Sequence, residues 1–299
     1  LAGQPTPDAA QLTAAVRAAG SDAVALHALF LAHDASPSAE RSWLAGLRER
    51  SDAPLRCGRA QAASGRLVIS APRAGELERI DPQLRRVRGS LAAGFTRPEL
   101  VVAAADGQLL RVGVSPSVLA QGVDLEPDLP LPLKVQLLAT GSAGPRPVAE
   151  RWLGTPAPPA TGSAAESGPA QHVAVEAPAH ADLGRLIREL RELRGKRPLR
   201  DNRLLREAAS DHARAVCEQG RVAHKLKDGR GPEERLASAG LSARLVGEAI
   251  ARAEDGYGAF EALQNSPSHL LTLLEPRFTD VGVGEARDEA GKKCYVVLL

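Results

Sequence analysis

The sequence predicts an α+β protein of more than one domain, with strands and helices in separate stretches of the chain. The length of 299 residues suits about two domains of ordinary size. Residues 76–154 contain short apolar or alternating runs divided by turn residues, which is typical of strands. Residues 183–193 carry leucine and isoleucine at the spacing of an amphipathic helix, and the chain closes on the strand-like run CYVVLL.

Residues 1–74 are predicted to form a helix-rich segment that ends in a β-hairpin. A cap residue, a proline and a terminal glycine predict a helix over residues 6–20, and Ser36 followed by proline predicts the start of a second helix. Between them, residues 23–33 are apolar, and their periodicity fits either a helix or a strand. Glycine-bounded runs over residues 54–71 predict the hairpin.

Residues 75–154 are predicted to form a small β-sandwich, similar to an immunoglobulin domain. Asp106-Gly107 separates two apolar runs and predicts a hairpin turn, because glycine supplies the positive φ that such turns need. No catalytic motif occurs in this stretch, so a spacer or adhesion role is expected. Residues 155–180 are predicted to be a linker, since a segment rich in proline, alanine and glycine buries too little apolar surface to offset the entropy of ordering.

The composition argues against several classes of partner. The net charge is +2 with acids and bases interspersed, and the few tryptophan and tyrosine residues are scattered, so no nucleic-acid surface is expected. No apolar run approaches the roughly 20 residues that a membrane span needs, so a soluble chain is expected. The sequence begins at Leu1 and contains no methionine, which predicts that a leader such as an export signal has been removed.

The three cysteines leave the cellular compartment open. Cys217 and Cys294 lie in the same C-terminal stretch and could form one disulfide, which leaves Cys57 alone. Buried free thiols that pack as small apolar residues are an equally good interpretation.

Residues 181–299 are predicted to form a module in which helices cover a sheet. After the leucine-striped helix, Asp201-Asn202 begins a second helix, Gly231-Pro232 a third, and a fourth starts near Gly258. Ser266-Pro267 caps a short fifth helix. The runs FTDVGVGEA and KKCYVVLL predict the strands of the sheet.

Three polar residues of this module form the candidate site. His224 lies in a polar loop with no visible packing role, and Glu248 follows a glycine amid apolar residues, so it needs a partner if buried. His269 lies in the first turn of a helix, where the positive end of the dipole disfavours its protonated form. Two neutral imidazoles and a carboxylate suit a divalent ion such as zinc. A buried polar network that satisfies itself is the other interpretation.

His212 is treated separately from these three residues. It lies on the apolar face of the second predicted helix of the module. A core histidine bonded to the backbone is therefore expected there, rather than a ligand.

Five pieces of the sequence, in order, resemble the CAP superfamily, whose shared module is the SCP domain of the cysteine-rich secretory proteins. They are DNRLLREAASDHARA, the loop AHKLKDGRGPEERLASAG, the Gly247-Glu248 step, SPSH with LLTLLEPRFTDVGVG, and the closing CYVVLL. The resemblance implies an α-β-α sandwich over residues 181–299, as in bacterial members. It also implies a cleft lined by His224, Glu248 and His269, which binds divalent metal in some members.

The sequence departs from the family pattern near this cleft. Ser266 stands where many members have a second glutamate, and the other departures are Leu263 for tryptophan, Ala249 for asparagine and Ser268 for glycine. A cleft that lacks one carboxylate is a poorer acid–base site, which argues against catalysis.

These observations predict an exported protein, secreted or held in the cell envelope. Its C-terminal module is expected to bind a lipid, a cell-wall component or another protein through His224, Glu248 and His269. One alternative is a metal-dependent hydrolase in which Glu248 acts as the base beside an ion held by the two histidines. The other is a purely structural surface adhesin. No nucleophile elbow, phosphate loop or dinucleotide fingerprint supports a different chemistry.

Overall fold

The computed structural model describes residues 9–62, 65–81, 85–154, 182–289 and 291–299. The predicted linker, residues 155–180, lies outside these ranges. The chain divides into two compact units, Leu1–Gln171 and His172–Leu299, called here the first and second units. It is a mixed α/β protein with several β-sheets. Among the described helices, none has the length and apolar character needed to cross a membrane.

The first unit alternates helices and strands at its start and is dominated by strands afterwards. Its described helices are α1 (Ala9–Ala18), α2 (Pro37–Arg50) and α3 (Pro116–Gln121). Its described strands are β1 (His27–Ala32), β2 (Leu55–Ala62), β3 (Gly65–Pro72), β4 (Gly75–Asp81), β5 (Arg86–Leu91), β6 (Thr96–Ala103), β7 (Leu109–Gly113), β8 (Val123–Asp124), β9 (Leu133–Gly141) and β10 (Gly144–Leu153).

The first predicted elements are largely present. Helix α2 begins at Pro37, because the Ser36 side chain accepts a hydrogen bond from the backbone N–H of Ser38 at 3.2 Å. The predicted hairpin corresponds to the antiparallel pair β2 and β3. Residues 23–33, which fit either a helix or a strand by periodicity, contain strand β1 paired with β3. The start of the first predicted helix falls outside the described ranges, and α1 accounts for the rest.

Strands β4 to β10 form two antiparallel sheets around a common core. The larger sheet has the order β10-β9-β6-β7 and the smaller one β4-β5-β8. The predicted turn at Asp106-Gly107 joins β6 and β7, and Gly107 has a φ of 86°. One buried cluster includes Leu77 of the smaller sheet and Leu100 of the larger sheet. Each such side chain contributes roughly 1.5–3 kcal/mol when it is withdrawn from water, so this core stabilises both sheets together.

The second unit combines short helices with one four-stranded sheet of order β11-β13-β14-β12. Its described helices are α4 (Leu183–Leu193), α5 (Arg203–Gln219), α6 (Pro232–Ser238), α7 (Gly256–Gln264) and α8 (Pro267–Leu273). Its described strands are β11 (Arg200–Asp201), β12 (Glu248–Ala253), β13 (Asp280–Arg287) and β14 (Lys293–Leu298).

The predicted helix starts of the second unit agree with the structure, with one shift. Asn202 caps α5 by accepting hydrogen bonds from the N–H groups of Leu204 and Leu205. Helix α7 begins at Gly256 rather than near Gly258, because the Asp255 side chain accepts the N–H of Gly258 at 2.8 Å and acts as the cap.

Helix α5 lies directly against strand β13. A Cβ atom added at Gly282 would lie 2.2 Å from the backbone nitrogen of Arg206, which no side chain could tolerate. Cys217 of α5 and Cys294 of β14 form a disulfide with a Cα–Cα distance of 5.8 Å, which decides between the two interpretations of these cysteines. Cys57 is exposed and free. The helix that carries His212 is therefore fixed to the sheet covalently as well as by packing.

Candidate functional site

Glu248 is the first residue of strand β12, a strand that the sequence does not predict. Its backbone is opposite Leu298 of β14, and the preceding Gly247 exchanges hydrogen bonds with Leu299 at 3.0 and 2.9 Å. The Glu248 side chain is only 1% exposed. A carboxylate at this depth needs partners for both oxygens.

His224 supplies the first of these partners. The structure thus brings together two of the three candidate residues, His224 and Glu248. The residue lies between α5 and α6, and its Nδ1 is 2.7 Å from Oε1 of Glu248. Because an ionised carboxylate only accepts, Nδ1 must carry the proton and donate it. The Nε2 atom of the same ring makes no hydrogen bond to a described residue and is not fully buried.

Arg235 supplies the second partner and was missed in the sequence. Its Nη2 donates to Oε2 of Glu248, and its side chain is 9% exposed. Two features of the sequence pointed toward it. A buried carboxylate needs a charged partner, and Arg235 is a basic residue near the start of the predicted third helix. Sequence alone could not choose Arg235 among the many arginines of this module.

His212 has the structural role that the sequence predicts. It is 3% exposed, and its Nε2 donates to the carbonyl oxygen of Ala223 at 3.0 Å. The same nitrogen lies 4.0 Å from Oε1 of Glu248, so His212 also borders the hydrogen-bonded group around Glu248. Burial lowers the pKa of His212 and outweighs the charge of Glu248, which acts in the opposite direction. The lowered pKa keeps the ring neutral.

The charge state of Glu248 follows from its partners. Burial by itself would raise the pKa of Glu248, but the hydrogen bond from His224 and the charge of Arg235 hold that pKa below its usual range. Glu248 is therefore an anion at neutral pH, and both of its oxygens are engaged. A carboxylate held in this state is a weak proton acceptor.

His269 lies in the first turn of α8, as predicted, but it does not hydrogen-bond to Glu248. Its Nδ1 is buried without a hydrogen-bond partner. Burial, with a smaller contribution from His224, lowers the pKa of His269 to about 4. The lowered pKa agrees with the predicted neutral state, and burial is its largest cause.

The donor set does not fit the three-residue zinc site that the sequence suggests. Both oxygens of Glu248 are held by His224 and Arg235. Two imidazoles remain, whereas zinc sites in proteins use three or four ligands from the protein. Within the described ranges, no group of three or more His, Cys, Asp or Glu side chains has a metal-binding arrangement.

Two clefts in the second unit lie away from these residues. One, of about 500 Å³, is lined by apolar side chains such as Leu241 and Phe278 together with Arg244. The other, of about 480 Å³, is lined by Asp182, Tyr295 and their neighbours. Neither is lined by His224, Glu248 or His269.

Comparisons with known proteins find a family for most of the second unit. The model of the Cysteine-rich secretory protein family (CAP) matches residues 185–299. Among curated proteins, a search finds no match.

Three solved structures match parts or most of the chain. An outer surface protein from Borrelia burgdorferi is 26% identical over 39% of this chain and 86% of that chain, with a TM-score of 0.37. An extracellular protein containing an SCP domain from Bacillus anthracis is 22% identical over 38% of each chain, with a TM-score of 0.35. A cysteine-rich secretory protein from Staphylococcus aureus is 14% identical over 95% of this chain and 91% of that chain, with a TM-score of 0.32.

Proposed function

Because residues 185–299 are a CAP domain, we propose that this chain is an exported protein whose second unit acts as a binding module outside the cytoplasm. The proposed binding centre is the cluster of His224, Glu248 and His269. The ligand is a lipid, a cell-wall component or another protein, and the protein is secreted or held in the cell envelope.

The disulfide supports export. Cys217 and Cys294 are bridged inside the second unit, and such bonds form and persist mainly in oxidising compartments. The matching family is described as one of secretory proteins, which agrees with this location.

The observation that carries the binding proposal is the hydrogen bond between His224 and the buried carboxylate of Glu248. A buried carboxylate is costly unless its oxygens have partners, and here His224 and Arg235 supply them and hold the side chains in one arrangement. The Nε2 atom of His224 remains available to a ligand. A preorganised acceptor of this sort supports recognition, whereas the engaged Glu248 oxygens disfavour a general base.

The proposal can be tested by co-sedimentation of the full chain. The probes are purified bacterial peptidoglycan and vesicles of phosphatidylcholine with phosphatidylglycerol. We expect His224→Ala and His269→Ala to reduce binding to one of these probes by tenfold or more. Val222→Ala is the matched control, since Val222 lies in the same loop and is 45% exposed. Equal binding by all variants would count against the cluster as the binding centre, and binding to neither probe would count against a lipid or cell-wall ligand.

The metal-dependent hydrolase remains a prediction that a zinc titration tests. Calorimetric titration of the full chain and of Glu248→Gln would show whether zinc binds and whether Glu248 contributes. Because both carboxylate oxygens are engaged, we expect no zinc affinity that depends on Glu248. A micromolar or tighter site lost in Glu248→Gln would favour the hydrolase.

We also propose how helices and sheets are layered within each unit. In the second unit, helices α5 and α4 cover opposite faces of the sheet: Gly284 faces α5, while Val283 lies near Gly184 of α4. Successive strand residues point to opposite faces, which supports an α-β-α sandwich. In the first unit, the common core of two antiparallel sheets supports a β-sandwich. Its proposed role is that of a spacer or adhesion module.

A further inference from the structure

Arg235 contacts the main chain of His224 directly and the side chain of His224 through Glu248. Its Nη2 donates to Oε2 of Glu248, and its Nη1 donates to the main-chain carbonyl of His224 at 2.9 Å. The His224 side chain in turn donates to Oε1 of the same Glu248. These contacts form a closed ring from the His224 side chain through Glu248 and Arg235 back to the His224 backbone.

The local structure explains why Arg235 can reach all of these atoms. Helix α6 starts at Pro232, and the Glu234 carboxylate accepts the N–H of Gly231 at 2.9 Å, which fixes the start of the helix. Arg235 therefore lies one turn into α6, beside the loop that carries His224. A second hydrogen bond from Nη1 to the carbonyl of Arg230, at 2.8 Å, ties the same loop at another point.

We propose that Arg235 is the positioning residue of this site, and that the site accepts a hydrogen bond from a ligand hydroxyl or N–H group, such as those of cell-wall sugars. The closed ring of hydrogen bonds holds the His224 imidazole in the tautomer that is protonated on Nδ1. The lone pair of a neutral ring is then on Nε2, which makes no bond to a described residue. The ligand class rests on the function proposed above, whereas the role of Arg235 does not.

Arg235 is needed because His224 alone cannot hold the carboxylate. Glu248 is 1% exposed, and a buried carboxylate with a single hydrogen-bond partner is expensive. With the guanidinium on Oε2, the carboxylate stays ionised and can only accept. His224 must then donate through Nδ1, so the arginine sets the tautomer of the histidine through Glu248.

The tautomer of His224 can be read directly from the nitrogen-15 shifts of its ring in the full chain, without any ligand. We expect protonation on Nδ1 in the wild type. We expect Arg235→Gln to give a mixture of tautomers, and Arg235→Lys, which keeps the charge, to restore part of the wild-type signal. Arg230→Gln is the control: this arginine lies in the same loop, is exposed and pairs with Asp228. It should leave the ring shifts unchanged.

Several outcomes would overturn the proposal. A wild-type His224 protonated on Nε2 would do so without any variant, even if Arg235→Gln fails to fold. An unchanged single tautomer in a folded Arg235→Gln would show that the arginine does not position the ring.

The ligand class is tested by titrating the same ring signal with N-acetylglucosamine and, separately, with zinc chloride. A saturable response to the sugar that weakens by tenfold or more in Arg235→Gln supports the hydroxyl or N–H donor. No response to the sugar, or a response to stoichiometric zinc alone, overturns that assignment. If the wild-type protein shows the Nδ1 tautomer but binds neither peptidoglycan nor the vesicles, the proposed function is refuted but the role of Arg235 is not.

Discussion

Gly284 of strand β13 lies so close to Ala209 of helix α5 that a Cβ atom on the glycine would be 2.2 Å from the carbonyl carbon of the alanine. The neighbour is backbone, so it cannot move aside by changing a rotamer. The same helix carries His212, which borders the Glu248 cluster. The packing of α5 on the sheet therefore also places one wall of the candidate site.

The first prediction concerns this contact. We expect Gly284→Ala to destabilise the second unit by at least about 2 kcal/mol, because the added methyl group must push α5 from the sheet. Hydrogen exchange followed by mass spectrometry is the suitable measurement, since both tryptophans, Trp43 and Trp152, lie in the first unit and report only on it. Gly258→Ala is the control: its Cβ would make ordinary contacts at 3.4 Å or more, and the change should stay within about 1 kcal/mol. Equal protection in the two variants would contradict the prediction.

The second prediction concerns Arg191 of α4, which is fully buried. Its guanidinium donates to the carbonyl oxygens of Leu273 at 2.6 Å and Glu275 at 3.0 Å, at the end of helix α8. We expect Arg191→Ala to destabilise the second unit by about 3 kcal/mol or more, because buried carbonyl groups lose their donors. Calorimetric unfolding of the full chain measures this change.

Arg185→Ala is the matched control on the same helix. Arg185 is 44% exposed at its side chain and pairs with Glu189 four residues later. Such surface pairs contribute only about 0.3–0.5 kcal/mol. A small effect at Arg191 as well would mean that water reaches the end of α8.

The third prediction concerns the disulfide between Cys217 and Cys294, which are 77 residues apart in sequence. Closing a loop of this length restricts the unfolded chain and stabilises the fold by about 4.5 kcal/mol in the chain-entropy model. We expect the double variant Cys217→Ala, Cys294→Ala to lose most of this amount in the second unit, as measured by calorimetry. Cys57→Ser, which changes an exposed free thiol, should have no effect. Detection of three reactive thiols in the native protein would refute the bridge itself.

The fourth prediction concerns Glu150 in the first unit, whose side chain is 4% exposed. Its carboxylate pairs with Arg17 at 2.7 Å and with Lys134 at 3.3 Å. We expect Glu150→Gln to cost about 3 kcal/mol, because two cations lose a buried counter-charge. Lys134 lies 5.6 Å from the centre of the Trp152 ring, so tryptophan fluorescence follows this transition. Glu78→Gln, at an exposed pair with Arg88, should cost no more than about 1 kcal/mol.

The accuracy of the sequence-based predictions differs between elements for physical reasons. Helix starts were predictable where a local signal sets them, as at Ser36 and Asn202, whose side chains cap the following turn. Strand β12 was missed because its six residues, EAIARA, have neither strict alternation nor β-branched enrichment, and pairing with β14 decides its conformation.

The candidate site was predictable only in part. His224 and Glu248 stood out as polar residues without a packing role, and they do hydrogen-bond to each other. Arg235 did not stand out, because one arginine among many on a polar helix carries no local mark of its partner. That partner is 13 residues away in sequence and is reached only through the fold.

The fifth prediction concerns the pH dependence that follows from His269. Burial lowers the pKa of this ring from 6.5 to about 4, so between these values the unfolded chain binds a proton that the folded chain does not. The stabilising contribution is therefore complete above pH 6.5 and is lost as the pH falls toward 4. A shift of this size corresponds to about 3 kcal/mol, and the lowered pKa of His212 adds a loss in the same direction. Unfolding of the second unit by calorimetry at pH 7, 5.5 and 4 measures the loss.

The variant His269→Gln isolates this effect, because glutamine keeps a polar side chain but does not titrate. The variant should lose less stability than the wild type between pH 7 and pH 4, so the two curves should converge as the pH falls. Parallel curves would mean that His269 titrates at an ordinary pKa and that its Nδ1 is not buried as described. Convergence would show that the fold holds the imidazole in its neutral form, the state in which a ring nitrogen can accept a hydrogen bond from a ligand.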